Sequence, residues 1–278
     1  MRRLALLAAC LVACLGASLG AALAGPAGAD APLRVYAAGS LSGAFTDMLR
    51  AAGLPAGAVA PPVFGPSGVL RERIERGEPA DLFASADMAH PRRLAAERGG
   101  LAVAPFVRNR LCVQGPGRLG LTPATLLDRM LDPSLKLATS TPRADPGGDY
   151  AWAVFPRAEK VRPGAQAVLE AKARTLVGGP GMTAPVAGKG AVSGLFLTGA
   201  ADLFLGYCSN VDAMLAEVPG LVSVPLPPPL APEGEARPEY GMVVLDDAPL
   251  ARRFAAFVLS PEGQAILARY GFEPIDAP

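Results

Sequence analysis

The feature that most constrains this chain is a local grammar used several times: a short apolar run, a turn of glycine and serine, then apolar residues at helical spacing. Residues 33–37, Leu-Arg-Val-Tyr-Ala, read as a buried strand that breaks at Ala38-Gly39-Ser40. Leu41, Ala44, Phe45, Met48 and Leu49 then mark one face of a helix. The same order returns at 60–64, at Gly65-Pro66-Ser67-Gly68, and in a helix carrying Val69, Leu70, Arg73 and Ile74 that stops at Gly77. A third strand is expected at 80–85, another at 135–140, and Gly147-Gly148-Asp149-Tyr150 opens a helix through Ala151, Val154 and Phe155. Strands alternating with helices of about ten residues imply an α/β architecture of mostly parallel sheets covered by helices, with ligands at the carboxyl ends of the strands. Residues 199–207 and 240–245 read as further strands and 250–270 as helix, with Ser260-Pro261-Glu262 a fresh start carrying proline at the first helical position. The segments 177–190 and 225–238 are rich in glycine and proline and read as loops, Pro227-Pro228-Pro229 favouring extended polyproline geometry.

The first residues follow a different logic. Met1-Arg2-Arg3 and an almost uncharged apolar run to Ala24 have the layout of a secretory signal, and Ala27-Gly28-Ala29 places small residues where a peptidase cuts, so residues 1–29 are expected to be a signal peptide. Leu11-Val12-Ala13-Cys14 can also be read as a lipobox, with Cys14 as a lipidated N-terminus. Export to the periplasm is the common consequence.

The remaining chain, about 250 residues, is long enough for one large domain or two lobes. A formal net charge of +1 argues against nucleic acid as a partner, since neutralising phosphates needs a basic surface. Outside the leader only Cys112 and Cys208 remain; in an oxidising compartment they either form a disulfide or are two small buried residues. One histidine, His90, and no metal-ligand spacing leave no basis for a cation site or a cofactor.

Two uncharged turns, Gly39-Ser40-Leu41-Ser42 and Gly65-Pro66-Ser67-Gly68, sit where helices begin. A helix N-terminus carries unpaired N–H donors and partial positive charge, so a serine with two or three amides makes an anion pocket without a lysine. The plainer alternative is that both serines are helix caps.

The residues around these turns point to a family. Val35-Tyr36-Ala37-Ala38-Gly39-Ser40-Leu41-Ser42-Gly43-Ala44-Phe45, the run from Phe64 to Asp87, and more weakly Pro146 to Ala151, Gly206-Tyr207 and the tail from Ser260 to Phe272 resemble the periplasmic molybdate-binding proteins of ABC transporters. The resemblance implies a two-lobed type II binding-protein fold with lobe one at 32–107 plus 244–278, lobe two at 108–243, and crossing strands near 109–113 and 240–244. It implies a monomer that captures molybdate or tungstate and presents it to a membrane permease, with no catalytic chemistry. The family's two serines fall on Ser40 and Ser67, its tyrosine hydroxyl on Tyr207, and its backbone donors on Gly147 and near Lys189. The metal is thus held as an oxyanion, not by direct ligation. Lysine at 189 departs from the usual apolar residue, and the sequence after Tyr207 also departs, so sulfate, phosphate or an organic anion remain alternatives.

Other residues invite chemical readings. Asp81 and Asp87 flank a strand end but are expected to be structural, Asp87 as a cap for the next helix. His90 before Pro91 has no nucleophile beside it. A secreted serine hydrolase would need a base near Ser40 or Ser67, and neither the nucleophile-elbow spacing nor Ser-x-x-Lys is present. Arg71 is accounted for by pairs with Glu72 or Glu75, Arg143 could reach an anion, and Trp152 with Phe155 reads as core.

Overall fold

The structure is a computed structural model that describes residues 31–278 apart from Pro180, Gly181, Pro185, Asn210, Glu235, Ala236, Asp247 and residues 276–278. The signal-peptide reading of 1–29 and the lipobox at Cys14 lie outside the described residues.

The chain order is β1 (Val35–Ala38), α1 (Ser42–Ala51), β2 (Val63–Gly65), α2 (Ser67–Glu75), β3 (Leu82–Ser85), α3 (Ala89–Glu97), β4 (Val103–Arg108) and β5 (Leu111–Pro116). It continues with α4 (Leu126–Leu131), β6 (Leu137–Ser140), α5 (Pro146–Trp152), α6 (Phe155–Val161), α7 (Ala165–Lys172), β7 (Arg174–Val177), α8 (Ala191–Leu197) and β8 (Leu203–Tyr207). The last elements are α9 (Val211–Glu217), β9 (Leu221–Pro225), β10 (Glu239–Val244), α10 (Pro249–Leu259) and α11 (Pro261–Arg269).

The strands form two five-stranded sheets, β2-β1-β3-β10-β4 and β7-β6-β8-β5-β9, each flanked by helices. This is the two-lobed α/β architecture expected. Within each sheet three neighbouring strands run parallel, and the strand that enters from the other half pairs antiparallel: β10 with β3 and β4, β5 with β8 and β9. Only Asn109 and Arg110 separate β4 in the first sheet from β5 in the second, and β10 brings the chain back.

Period-two alternation decides which face each residue covers. Val35, Ala37, Leu82, Ala84 and Met242 pack with Phe45 and Met48 of α1, Phe254 and Val258 of α10 and Leu267 of α11. The residues between them, Tyr36, Phe83 and Val243, pack with Leu70 and Ile74 of α2 and Leu94 of α3. Strands buried on both faces read as continuous apolar runs, which is why β1 and β3 carry no surface pattern. In the second sheet Leu111, Val113, Leu137, Leu203 and Leu205 pack with Leu126, Ala151, Phe155 and Leu169, while Ala138 and Phe204 face Leu195 of α8. Phe155 is a core ring and Trp152, partly buried, packs against it with a tilted geometry, 5.3 Å between centroids, while Trp152 Nε1 donates to Thr139 Oγ1 at 3.1 Å.

Two local expectations change. The helix opened at Gly147 breaks after Trp152 and restarts at Phe155, with Pro156 in its first turn, where a missing N–H costs nothing. Pro227-Pro228-Pro229 is a turn, not an extended segment: Pro227 O accepts from both Leu230 N (2.9 Å) and Ala231 N (2.9 Å). Proline fixes φ but leaves ψ free, and the turn buries Leu226 and Leu230 in the core.

Cys112 and Cys208 form a disulfide, resolving the open reading of that pair. The bond ties β5 to the residue after Tyr207. Asp81 holds the Arg34 amide (2.6 Å) and guanidinium, and Asp87 Oδ1 accepts from His90 N (3.1 Å), so both carboxylates are structural. Arg71 pairs with Glu75 at 2.8 Å.

Candidate functional site

Both sheets contribute to a cavity of about 730 Å³. From the first half come Gly39, Ser40, Ser42, Gly65, Pro66 and Ala86, the turns at the carboxyl ends of β1, β2 and β3; from the second come Gln114, Ser140, Asp145, Gly147, Ser193 and Tyr207. A smaller open depression between α1 and α11, about 390 Å³, is lined by charged helix-surface residues such as Asp47 and Arg50, which pair with each other. The larger cavity holds the predicted turns.

Ser40 lies in a 3₁₀ turn between β1 and α1, and its Oγ is 2.9 Å from the Tyr240 hydroxyl. That hydroxyl also accepts from Asn109 Nδ2 at 3.1 Å, and Asn109 Nδ2 reaches Ser209 Oγ at 2.9 Å. Asn109 and Tyr240 stand where the chain crosses between sheets and are fully buried, so Ser40 is anchored to the crossing point. Ser67 opens α2; its Oγ accepts from Ala86 N at 3.1 Å and it is buried. Its neighbours Gly65, Pro66 and Ala86 line the cavity, while Ser67 itself is not part of the lining.

Tyr207 ends β8. Its backbone carbonyl accepts from Gln114 Nε2 at 2.9 Å, and its ring lies 5.8 Å from that of Tyr240. The Tyr207 hydroxyl oxygen is buried and makes no hydrogen bond of acceptable geometry. The Tyr240 hydroxyl is close enough to interact with it, so Tyr207 Oη has a polar neighbour but no well-formed hydrogen bond. Burial drives the ionisation of both phenols upward and keeps them neutral.

Gly147 lines the cavity, and its N–H is directed to Asp145 Oδ1 at 3.0 Å. The backbone donor expected at Gly147 is therefore shared with a carboxylate. Lys189 is exposed and is not part of the lining; the residues after it, Gly190 to Ser193, are. Gly190 N donates to Glu217 Oε2 at 2.9 Å, and the Ser193 hydroxyl, with that amide, holds the Glu217 carboxyl below its usual range.

Sequence reasoning did not single out Asp145, Glu217, Gln114, Ser140 or the Asn109–Tyr240 pair. Asp145 had a readable signal, an N-cap aspartate followed by proline at the first helical position, but nothing local shows that it faces a ligand cavity. Its carboxyl is pushed up to about 6 by burial, against the stabilising bonds from Gly147 N and the Ser140 hydroxyl. Among the lining residues there is no lysine, arginine or histidine. The cavity thus offers hydroxyls and main-chain dipoles as donors and two carboxylates as acceptors.

The halves also touch beside the cavity. Gly68 N of α2 donates to Ala144 O at 3.0 Å, and a Cβ on Gly68 would lie 2.6 Å from Arg143 O and 2.8 Å from Ala144 O. Arg143 has φ 69°, the single non-glycine residue in that region among the described residues. No helix among the described residues is long and apolar enough to cross a membrane, and no group of three His, Cys, Asp or Glu side chains that could hold a metal ion occurs among them.

A family described as bacterial extracellular solute-binding protein matches residues 33–273. An uncharacterized protein of Pasteurella multocida (strain Pm70) is 40% identical over 183 residues, 66% of this chain and 76% of that one. Among solved structures, the sulfate-binding protein of Mycobacterium tuberculosis H37Rv aligns with a TM-score of 0.69 at 15% identity, covering 88% of each chain. The periplasmic molybdate-binding protein of Azotobacter vinelandii aligns with a TM-score of 0.63 at 20% identity, covering 86% of this chain and 98% of that one.

Proposed function

The chain belongs to the bacterial extracellular solute-binding proteins, and from that premise we propose that it captures a small tetrahedral oxyanion, molybdate or tungstate first, and presents it in the periplasm to an ABC-transporter permease. Ser40 and Tyr207 are the side-chain donors in this reading, with main-chain amides of the surrounding turns completing the shell and Ser67, which does not line the cavity, fixing the turn at Ala86. The observation that carries it is the Tyr207 hydroxyl: a buried donor that makes no well-formed hydrogen bond and has only the Tyr240 hydroxyl to interact with, on a residue that lines a cavity whose other donors are hydroxyls and dipoles. An unsatisfied buried hydroxyl costs about 1–3 kcal/mol, and a hydrogen bond to a charged acceptor returns about 1.5–3 kcal/mol. An anion seated against Tyr207 removes the first cost and gains the second.

Charge enters such a site without a cation because helix and turn amides supply partial positive charge at fixed positions. A hydroxyl rotates, so Ser40 can turn its hydrogen to a ligand and still accept from Tyr240. Molybdate and tungstate are separated from sulfate by size, a radius set by how closely the two halves approach.

The test is Tyr207→Phe, which removes one oxygen and keeps the ring packing. Calorimetry with molybdate, tungstate, sulfate and phosphate should show the oxyanion affinity of the wild type falling about tenfold or more in the variant, with thermal stability of the unliganded protein unchanged or raised. Equal affinity of the two proteins for the bound ion would reject Tyr207 as a donor. Absence of binding by all four ions would reject the oxyanion reading.

A further inference from the structure

Of the two carboxylates in the cavity lining, Asp145 in its ionised form works against a bound dianion. Asp145 lines the wall between Ser140 and Gly147. Oδ1 accepts from Gly147 N (3.0 Å), and the Ser140 hydroxyl bonds the same carboxyl group. Oδ2 lies against the backbone of Gly178, where an added Cβ would sit 2.6 Å away, so no side chain at 178 can screen it. A second acceptor, Gln114 Oε1, is buried in the same lining without a partner, its amide nitrogen being used on Tyr207 O and Ser223 Oγ. A bare tetrahedral dianion offers acceptors only. It cannot satisfy these groups, and its charge opposes an ionised Asp145 in a cavity lined by no cation.

We propose that Asp145 makes oxyanion capture proton-linked: a dianion with no proton of its own is bound together with one proton from solvent, held on the Asp145 carboxyl, whereas an anion that retains a proton shares it with the same carboxylate. This rests on the reading of the cavity as an oxyanion site. The balance is simple. Protein with ionised Asp145, one dianion and one proton give a complex in which Asp145 is a neutral acid donating its O–H to a ligand oxygen; no other bond forms or breaks. Specificity follows, because hydrogen phosphate carries a proton that sulfate, molybdate and tungstate lack.

The groups facing Asp145 leave it as the titrating site. Asp149, on the same helix, raises its proton affinity further. Tyr207 from β8 and Tyr240 from β10 are held neutral by burial, and Ser140 and Gly178 carry no charge. Glu217, across the lining on α9, is held ionised by Ser193 and Gly190, so it does not exchange a proton near neutrality. Burial already favours the neutral form of Asp145 before any ligand arrives.

The experiment is calorimetry of the full protein with tungstate, sulfate and phosphate from pH 6 to pH 8.5, in pairs of buffers that differ in ionisation enthalpy. For tungstate and sulfate, uptake should approach one proton per ion at the alkaline end, and affinity should fall about tenfold per pH unit there. Phosphate should lose less, so its affinity relative to sulfate rises with pH. Asp145→Asn should flatten the tungstate and sulfate profiles, abolish the proton uptake and bind both ions more tightly than the wild type at pH 8. The wild-type proton count stands without the variant. Oxyanion binding with no proton uptake, or a slope that persists in Asp145→Asn, would overturn the proposal and leave the oxyanion reading intact. Affinity for tungstate or sulfate that rises with pH would likewise overturn it. Lack of binding by any of the ions at every pH would overturn both.

Discussion

If the two halves close on the ligand through the contact seen at Gly68, a single methyl group at that position should separate binding from folding. In Gly68→Ala the new Cβ would lie 2.6 Å from Arg143 O and 2.8 Å from Ala144 O, both main-chain atoms. Relief needs a separation of the halves by most of an ångström, because an ordinary carbon–oxygen contact is about 3.4 Å and Arg143 is already in a left-handed conformation that resists adjustment. The shift breaks the Gly68 N to Ala144 O bond, worth about 0.5–1.5 kcal/mol, and residual overlap adds about 1–3 kcal/mol. The sum, about 1.5–4.5 kcal/mol, falls on the closed arrangement alone and corresponds to a loss of oxyanion affinity of about tenfold or more. The unliganded fold should not suffer, since alanine is the better helix former by about 1 kcal/mol. Calorimetry with tungstate gives the affinity, and small-angle scattering with and without the ion gives the compaction. Wild-type affinity and compaction in Gly68→Ala would show that the halves do not meet through α2 in the bound state, and the closure argument would fall.

Two further outcomes follow from named groups. Asp145 has a folded-state pKa of about 6 against an ordinary value of 3.8, so its neutral form stabilises the fold below about pH 4, and that contribution is lost as pH rises through 6. Two units correspond to at most about 3 kcal/mol, and the value is smaller because Asp145 is only half-buried at the cavity wall; Asp145→Asn should therefore raise the unliganded melting temperature by a few degrees at most at pH 8 and lose that advantage by pH 4, and a gain independent of pH would refute the burial argument. Replacing Cys112 and Cys208 together by serine opens a crosslink spanning 96 residues and should cost about 2–5 kcal/mol in denaturant unfolding. Full stability in the reduced and the doubly substituted protein would show that the crosslink adds nothing to the fold.

Much of the local architecture was legible because local architecture has local causes. The turn at Gly39-Ser40, the start at Ser67 and the restart at Ser260, whose Oγ accepts from Gly263 N at 3.2 Å, are all written within four residues. Apolar residues at helical spacing marked the buried face of α1, Ala44, Phe45 and Met48. The resemblance in Ser40, Ser67 and Gly206-Tyr207 also indicated which turns should share a cleft, and those turns do lie around one cavity, although Ser67 is buried outside its lining and Lys189 is exposed outside it. The proline run misled, because fixed φ is compatible with both an extended segment and a turn, and burial of Leu230 chose the turn.

What the amino-acid order determined by itself was therefore the set of strands, turns and helix starts, since capping bonds and period-two or helical burial act over a few residues. Only the tertiary structure decided which distant groups meet: Ser40 with Tyr240 and Asn109, Cys112 with Cys208, Gly68 with Ala144, and Asp145 with the wall that holds Tyr207. Those encounters depend on the order of strands in two sheets and on the chain crossing twice between them. A carboxylate acquires an unusual proton affinity, and a phenol is left without a well-formed hydrogen bond, only when water is excluded by residues that the chain brings from far away.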